Sequence, residues 1–77
     1  MDDYGKVDIT VKKVMKNKIF TISKFCREAK LQFNQGRGYM DNTIESVDLN
    51  VLSRICNALD CEISDVLKYT KPESKQF

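Results

Sequence analysis

The sequence predicts an all-α fold, a compact bundle of five short helices in one domain. Three observations carry this expectation. Apolar residues recur at three- and four-residue steps in several separate stretches, and no run alternates apolar and polar residues long enough to argue for a sheet. The 77 residues suffice for one small core and are too few for two independently folding units.

Residues 1–6 show no periodicity and are expected to be frayed, with the domain over 7–70 and a loose polar tail over 71–77. Ile9, Val11, Val14 and Met15 put apolar groups on one side and lysines on the other, predicting a first helix from Ile9 to Asn17. Thr21 has the side-chain oxygen an N-cap requires. After it Ile22, Phe25, Cys26 and Ala29 fall at i, i+3, i+4 and i+7, so a second helix runs from Ile22 to Lys30. Asp48 caps the clearest pattern, formed by Leu49, Leu52, Ile55, Cys56 and Leu59. Ser64 then caps a last turn or two carrying Val66, Leu67 and Tyr69, which Pro72 ends.

Between the second helix and Asp48 lies LQFNQGRGYMDN, Leu31 to Asn42, which holds two of the three glycines. Gly36 and Gly38 each cost roughly 1 kcal/mol relative to alanine inside a helix. A helix from Gln32 to Met40 is therefore expected to form only once docked, and to be short, distorted or mobile.

Composition narrows the function. With 42% hydrophobic and 31% charged residues the chain reads as a soluble globular protein, and no apolar run approaches the ~20 residues of a membrane span. No basic-then-apolar leader opens the sequence, so a cytoplasmic location is expected. Cys26, Cys56 and Cys61 form no CxxC pair and no histidine accompanies them, which argues for reduced core cysteines, no metal and no cofactor. An enzyme is not expected either, since there is no histidine, no phosphate-binding glycine loop and no paired carboxylates beside a plausible pocket. Charge is unevenly spread. From Lys6 to Met40 nine basic residues face two acidic ones, a net +7, whereas four basic and seven acidic residues from Asp41 to Phe77 leave −3. Such polarity suits a surface that meets phosphates, although lysine-rich helix faces also serve solubility alone.

Two segments carry a resemblance. Thr21-Ile22-Ser23-Lys24-Phe25-Cys26-Arg27-Glu28-Ala29-Lys30-Leu31-Gln32 is similar to the pattern Ser-Gln-x-x-Leu-Ala-x-x-x-Gly-Ile-Ser of lambda-repressor-like (Cro/XRE-type) regulators, with Phe25 and Cys26 at the Leu-Ala positions. VDLNVLSRICNALDCEISDVLKY, Val47 to Tyr69, resembles the second half of their small members. The resemblance covers about Ile9 to Tyr69 and implies a helix-turn-helix bundle. It also implies a sequence-specific transcriptional regulator, a repressor that binds double-stranded DNA as a homodimer.

On that expectation the stretch Gln32 to Tyr39 enters a major groove. Asn34 and Gln35 suit adenine, and Arg37 suits guanine or a phosphate. Thr21, Lys24, Gln32, Phe33, Tyr39, Asn42 and Thr43 complete the DNA-facing set, Lys12, Lys13 and Lys16 hold phosphates, and Val66, Leu67 and Tyr69 form the dimer contact.

Three departures from the family pattern fall where such proteins touch DNA. Ile22 replaces a glutamine and cannot hydrogen-bond a phosphate or base edge. Lys30 replaces the turn glycine, where a left-handed backbone costs ~1 kcal/mol or more unless the turn has shifted. Gly36 replaces an inward isoleucine, forfeiting ~1.5 to 3 kcal/mol of burial, and Phe33, Tyr39 or Met40 must fill the vacancy, Phe33 being best placed. Ile22, Gly36 and Gly38 keep a second reading open: a protein-interaction module on the same frame, such as a phage- or plasmid-borne inhibitor or antirepressor.

Overall fold

The computed structural model describes residues 4–72; residues 1–3 and 73–77, parts of the expected frayed segment and tail, lie outside them. Five helices, α1 (Val11–Asn17), α2 (Ile22–Ala29), α3 (Phe33–Asp41), α4 (Leu49–Leu59) and α5 (Ile63–Val66), are accompanied by two strands, β1 (Lys6–Ile9) and β2 (Leu67–Thr70). The helix count matches the expectation. The fold is nevertheless not all-α, because β1 and β2 pair antiparallel, with Lys6 opposite Thr70 and Ile9 opposite Leu67.

The sheet displaces three sequence-based boundaries. Lys6, expected to be frayed, opens β1, and Ile9, expected in the first helix, ends it. The last helix is a single turn whose N-cap is Glu62 rather than Ser64, the Glu62 amide donating to Asp65 Oδ2 at 2.9 Å. It stops at Val66 because the carbonyls that would carry it onward are taken by another segment. The Thr10 amide donates to the Val66 carbonyl at 2.8 Å and the Thr10 hydroxyl to the Asp65 carbonyl at 2.8 Å. Leu67 to Thr70 then run extended, which their β-branched and aromatic side chains favour. Pro72, expected in the loose tail, is buried.

The two strongest helix patterns form as anticipated. Thr21 Oγ1 accepts the Lys24 amide at 3.1 Å, and Asp48 Oδ1 accepts those of Asn50 and Val51 at 2.7 and 3.2 Å. Each cap satisfies amides that a helix start leaves unpaired, a contribution of about 1 kcal/mol. Helices α2 and α4 pack on each other across a core in which Phe25, Ile55, Leu59, Val11 and Val66 are fully enclosed. Burying each contributes about 1.5 to 3 kcal/mol. Cys26 is buried and all three cysteines are free thiols; Cys26 and Cys56 lie on α2 and α4 as their apolar spacing anticipates, whereas Cys61 follows the end of α4. Among the described residues no helix is long and apolar enough to cross a membrane.

Candidate nucleic-acid interface

The site is built on α2, the turn after it and α3. Helix α2 ends at Lys30, whose φ of 56° and ψ of 51° place it in the left-handed region. The turn has therefore not shifted. A lysine there costs roughly 1 to 2 kcal/mol. Several contacts offset the strain: the Leu31 amide donates to the Cys26 carbonyl at 2.9 Å, Leu31 is buried, and Arg54 reaches across from α4. Arg54 Nε donates to the Ala29 carbonyl at 3.1 Å while its Nη1 donates to Asn50 Oδ1 at 2.8 Å. A cation thus sits at the negative end of α2 and satisfies a carbonyl left over there. Nothing in the spacing of Arg54 marks it for this duty, and the sequence reading missed it.

Helix α3 is a regular nine-residue helix despite its two glycines. The expected distortion does not occur, because both glycines lie where another group comes close. Gly36 is buried, and a Cβ on it would overlap Cys26 Sγ. The vacancy of the missing aliphatic side chain is thus filled from α2, by the sulfur at the family's alanine position, and not by Phe33. At Gly38 a Cβ would lie 2.8 Å from Ile44 Cγ2, so the segment following α3 folds back against the helix there. Burial pushes the Cys26 thiol above its ordinary pKa, which keeps it neutral beneath α3.

With Gly36 and Tyr39 facing the core, Phe33, Asn34, Gln35 and Arg37 are exposed, and Gln32 is exposed at the N-cap. Arg37 Nε lies 3.4 Å from Asp41 Oδ2, one turn along. This pair keeps the guanidinium on the outer face and partly neutralises it. Thr21, Lys24 and Thr43 are also exposed, with Lys24 Nζ 4.5 Å from the centre of the Phe20 ring. Lys12, Lys13 and Lys16 line one open groove of about 490 Å³ with Met40, Asp41 and Asn42, so the lysines of α1 flank the C-terminal end of α3.

Two expected site residues, Tyr39 and Val66, lie in the core, Asn42 carries a structural duty the sequence did not show, and Phe33 does not take the packing role expected of it beside Gly36. Tyr39 is 3% exposed and packs in the core, so its ring cannot enter a groove. Asn42 ends α3 at a φ of 59°, and its amide is committed to β1: Oδ1 accepts the Ile9 amide at 2.9 Å and Nδ2 donates to Asp8 Oδ1 at 3.0 Å. Those bonds tie the end of α3 to the sheet and fix the side chain there, using one donor and one acceptor of its amide. Phe33, expected to fill the space beside Gly36, is 54% exposed. Val66, expected at a dimer contact, is fully enclosed within the chain's own core, whereas Leu67 is half-buried and Tyr69 exposed.

The site is thus a two-helix unit with an outward polar face, flanked by lysines. The family of Cro/C1-type helix-turn-helix DNA-binding domains matches residues 10–72. The chain belongs to that family. No curated protein and no solved structure matches it. The match spans α1 to β2, so membership rests on the bundle as a whole and includes the helix that carries Asn34, Gln35 and Arg37.

Proposed function

We propose that this Cro/C1-type domain is a sequence-specific transcriptional regulator, a cytoplasmic repressor whose α3 lies in the DNA major groove. One observation carries the reading: α3 is a regular helix, anchored through Gly36 and Tyr39, that turns Asn34, Gln35 and Arg37 outward together. Asn34 and Gln35 have the paired donor and acceptor that adenine presents, and Arg37 the donors that guanine accepts. Lys12, Lys13 and Lys16, none paired with a carboxylate among the described residues, hold phosphates beside the C-terminal end of α3, where Thr43 also lies, with Thr21, Lys24 and Gln32 nearer its start. Two copies bind paired half-sites, meeting through the apolar pair Val7 and Tyr69, which face each other across the sheet and are 60% and 53% exposed.

The inhibitor reading loses its main support, since Gly36 and Gly38 do not break α3. Selection of bound duplexes from a random pool, followed by polarisation titrations at two salt concentrations, tests the proposal. An enriched sequence whose affinity falls steeply with salt is the expected result. A pool without enrichment, or binding indifferent to salt, refutes it.

A further inference from the structure

Phe33 is a large aromatic residue with no structural employment. It is 54% exposed, and it belongs neither to the core nor to the partly buried side chains packed against it. The inward position open to it, beside Gly36, is occupied by Cys26 Sγ. Phe33 is the first residue of α3, next to Asn34 and one turn before Arg37, so it stands among hydrogen-bonding groups on the outward face.

We infer that Phe33 is a specificity determinant that contacts the 5-methyl group of thymine. The inference rests on the proposed placement of α3 in the major groove. There, hydrogen-bonding edges surround one apolar group, the thymine methyl, and apolar side chains are its partners. Asn34 and Gln35 alongside suit adenine, the other half of the same base pair. A protein partner is the weaker occupant: its docking surface needs a contiguous apolar patch, and the exposed neighbours of Phe33 on α3 are Asn34, Gln35 and Arg37.

The test uses the duplex enriched from the random pool, with each thymine replaced in turn by deoxyuridine, which removes only the methyl. For the wild type, one or two replacements should weaken binding about fourfold each, the equivalent of one buried methyl. In Phe33→Ala the same replacements should cost nothing. Phe33→Gln, which keeps a good helix former while removing the ring, repeats the measurement should the alanine variant fold poorly, circular dichroism reporting the fold of both. Equal deoxyuridine penalties in wild type and variant, or none in either, overturn the role of Phe33 and leave the regulator standing. A pool that yields no enriched duplex removes the regulator and this inference together, and leaves Phe33 as a protein-docking residue.

Discussion

The contact between Gly36 and Cys26 makes a prediction with a sign at each step. Replacing Gly36 by alanine adds a methyl that overlaps Cys26 Sγ, far inside the ~3.5 Å at which heavy atoms rest. Accommodating it moves α3 off α2 or forces the thiol from its rotamer, at about 1 to 3 kcal/mol. Helix propensity returns ~1 kcal/mol. Gly36→Ala should thus destabilise by up to about 2 kcal/mol, and displacing α3 should weaken DNA binding as well. Cys26→Ala alone leaves a methyl-sized void and costs about 1 kcal/mol. The double variant should behave differently from both. With Sγ gone, the nearest groups to a Cβ at 36 are Phe25 Cε2 at 3.7 Å and the Cβ of residue 26 at 3.8 Å, ordinary contact distances. The new methyl then occupies the sulfur's space and the propensity gain remains, so the double variant should match or exceed the wild type. Urea denaturation followed by circular dichroism measures the cycle, with a favourable coupling of about 2 kcal/mol expected. Thermal midpoints should move by roughly 4 to 8 °C per kcal/mol in a domain this small. Additive effects of the two substitutions would refute the packing argument.

Asn42→Ala removes two hydrogen bonds to β1 and a residue tolerant of positive φ, and should cost about 1 to 3 kcal/mol in urea; lost DNA affinity at unchanged stability would make Asn42 a base contact after all. Asp41→Asn releases Arg37 from an exposed ion pair of about 0.2 to 1 kcal/mol, so affinity for the enriched duplex should rise by about 1.4- to fivefold at low salt. A fall instead would show that the pair positions Arg37. Ile19, a β-branched residue with a φ of 57° and 88% exposed, holds strain that glycine does not, and Ile19→Gly should stabilise by about 1 kcal/mol; destabilisation would point to an unrecognised contact. Burial, reinforced by Cys56 and Asp65, pushes the Cys61 thiol from 9.0 up to about 11. The folded chain holds this proton more tightly than the unfolded one, so its contribution is intact below pH 9 and is lost as pH rises from 9 to 11. The urea midpoint should fall more across that window in the wild type than in Cys61→Ser, and identical falls would exclude the thiol as the cause.

What could be read in advance follows from how far each interaction reaches along the chain. Helices α2 and α4 announce themselves through apolar periodicity and through Thr21 and Asp48, all local signals. The outward set Asn34, Gln35 and Arg37 was legible because alternate choices of core-facing residue on α3 leave these three in water. The sheet was not: β1 and β2 are four residues each, too short for an alternation to register, and they pair across more than 50 positions. Once Thr10 takes the Asp65 and Val66 carbonyls, α5 ends early and Val66 turns inward, so one of the three residues expected at the dimer contact was misplaced with the missed strands. The per-residue glycine penalty in α3 leaves the packing partner of Gly36 out of account. Only three-dimensional proximity shows that Cys26, ten positions earlier, supplies the volume Gly36 lacks. The structural duty of Asn42 was hidden for a similar reason, since Ile9 and Asp8, which its amide joins, lie 33 and 34 positions away.

The bond from Asn42 to Ile9 also bears on the order of assembly. Strand β1 owes its place to β2, and β2 is nearly the last of the bundle to leave a ribosome, while α2, the turn and α3 emerge some thirty residues sooner. A growing chain therefore holds α3 through α1 and α2 first, before the C-terminal end of the helix is fastened to β1. The second tether forms when the residues around Thr70 arrive and the far ends of the domain meet, a slow closure over a long loop.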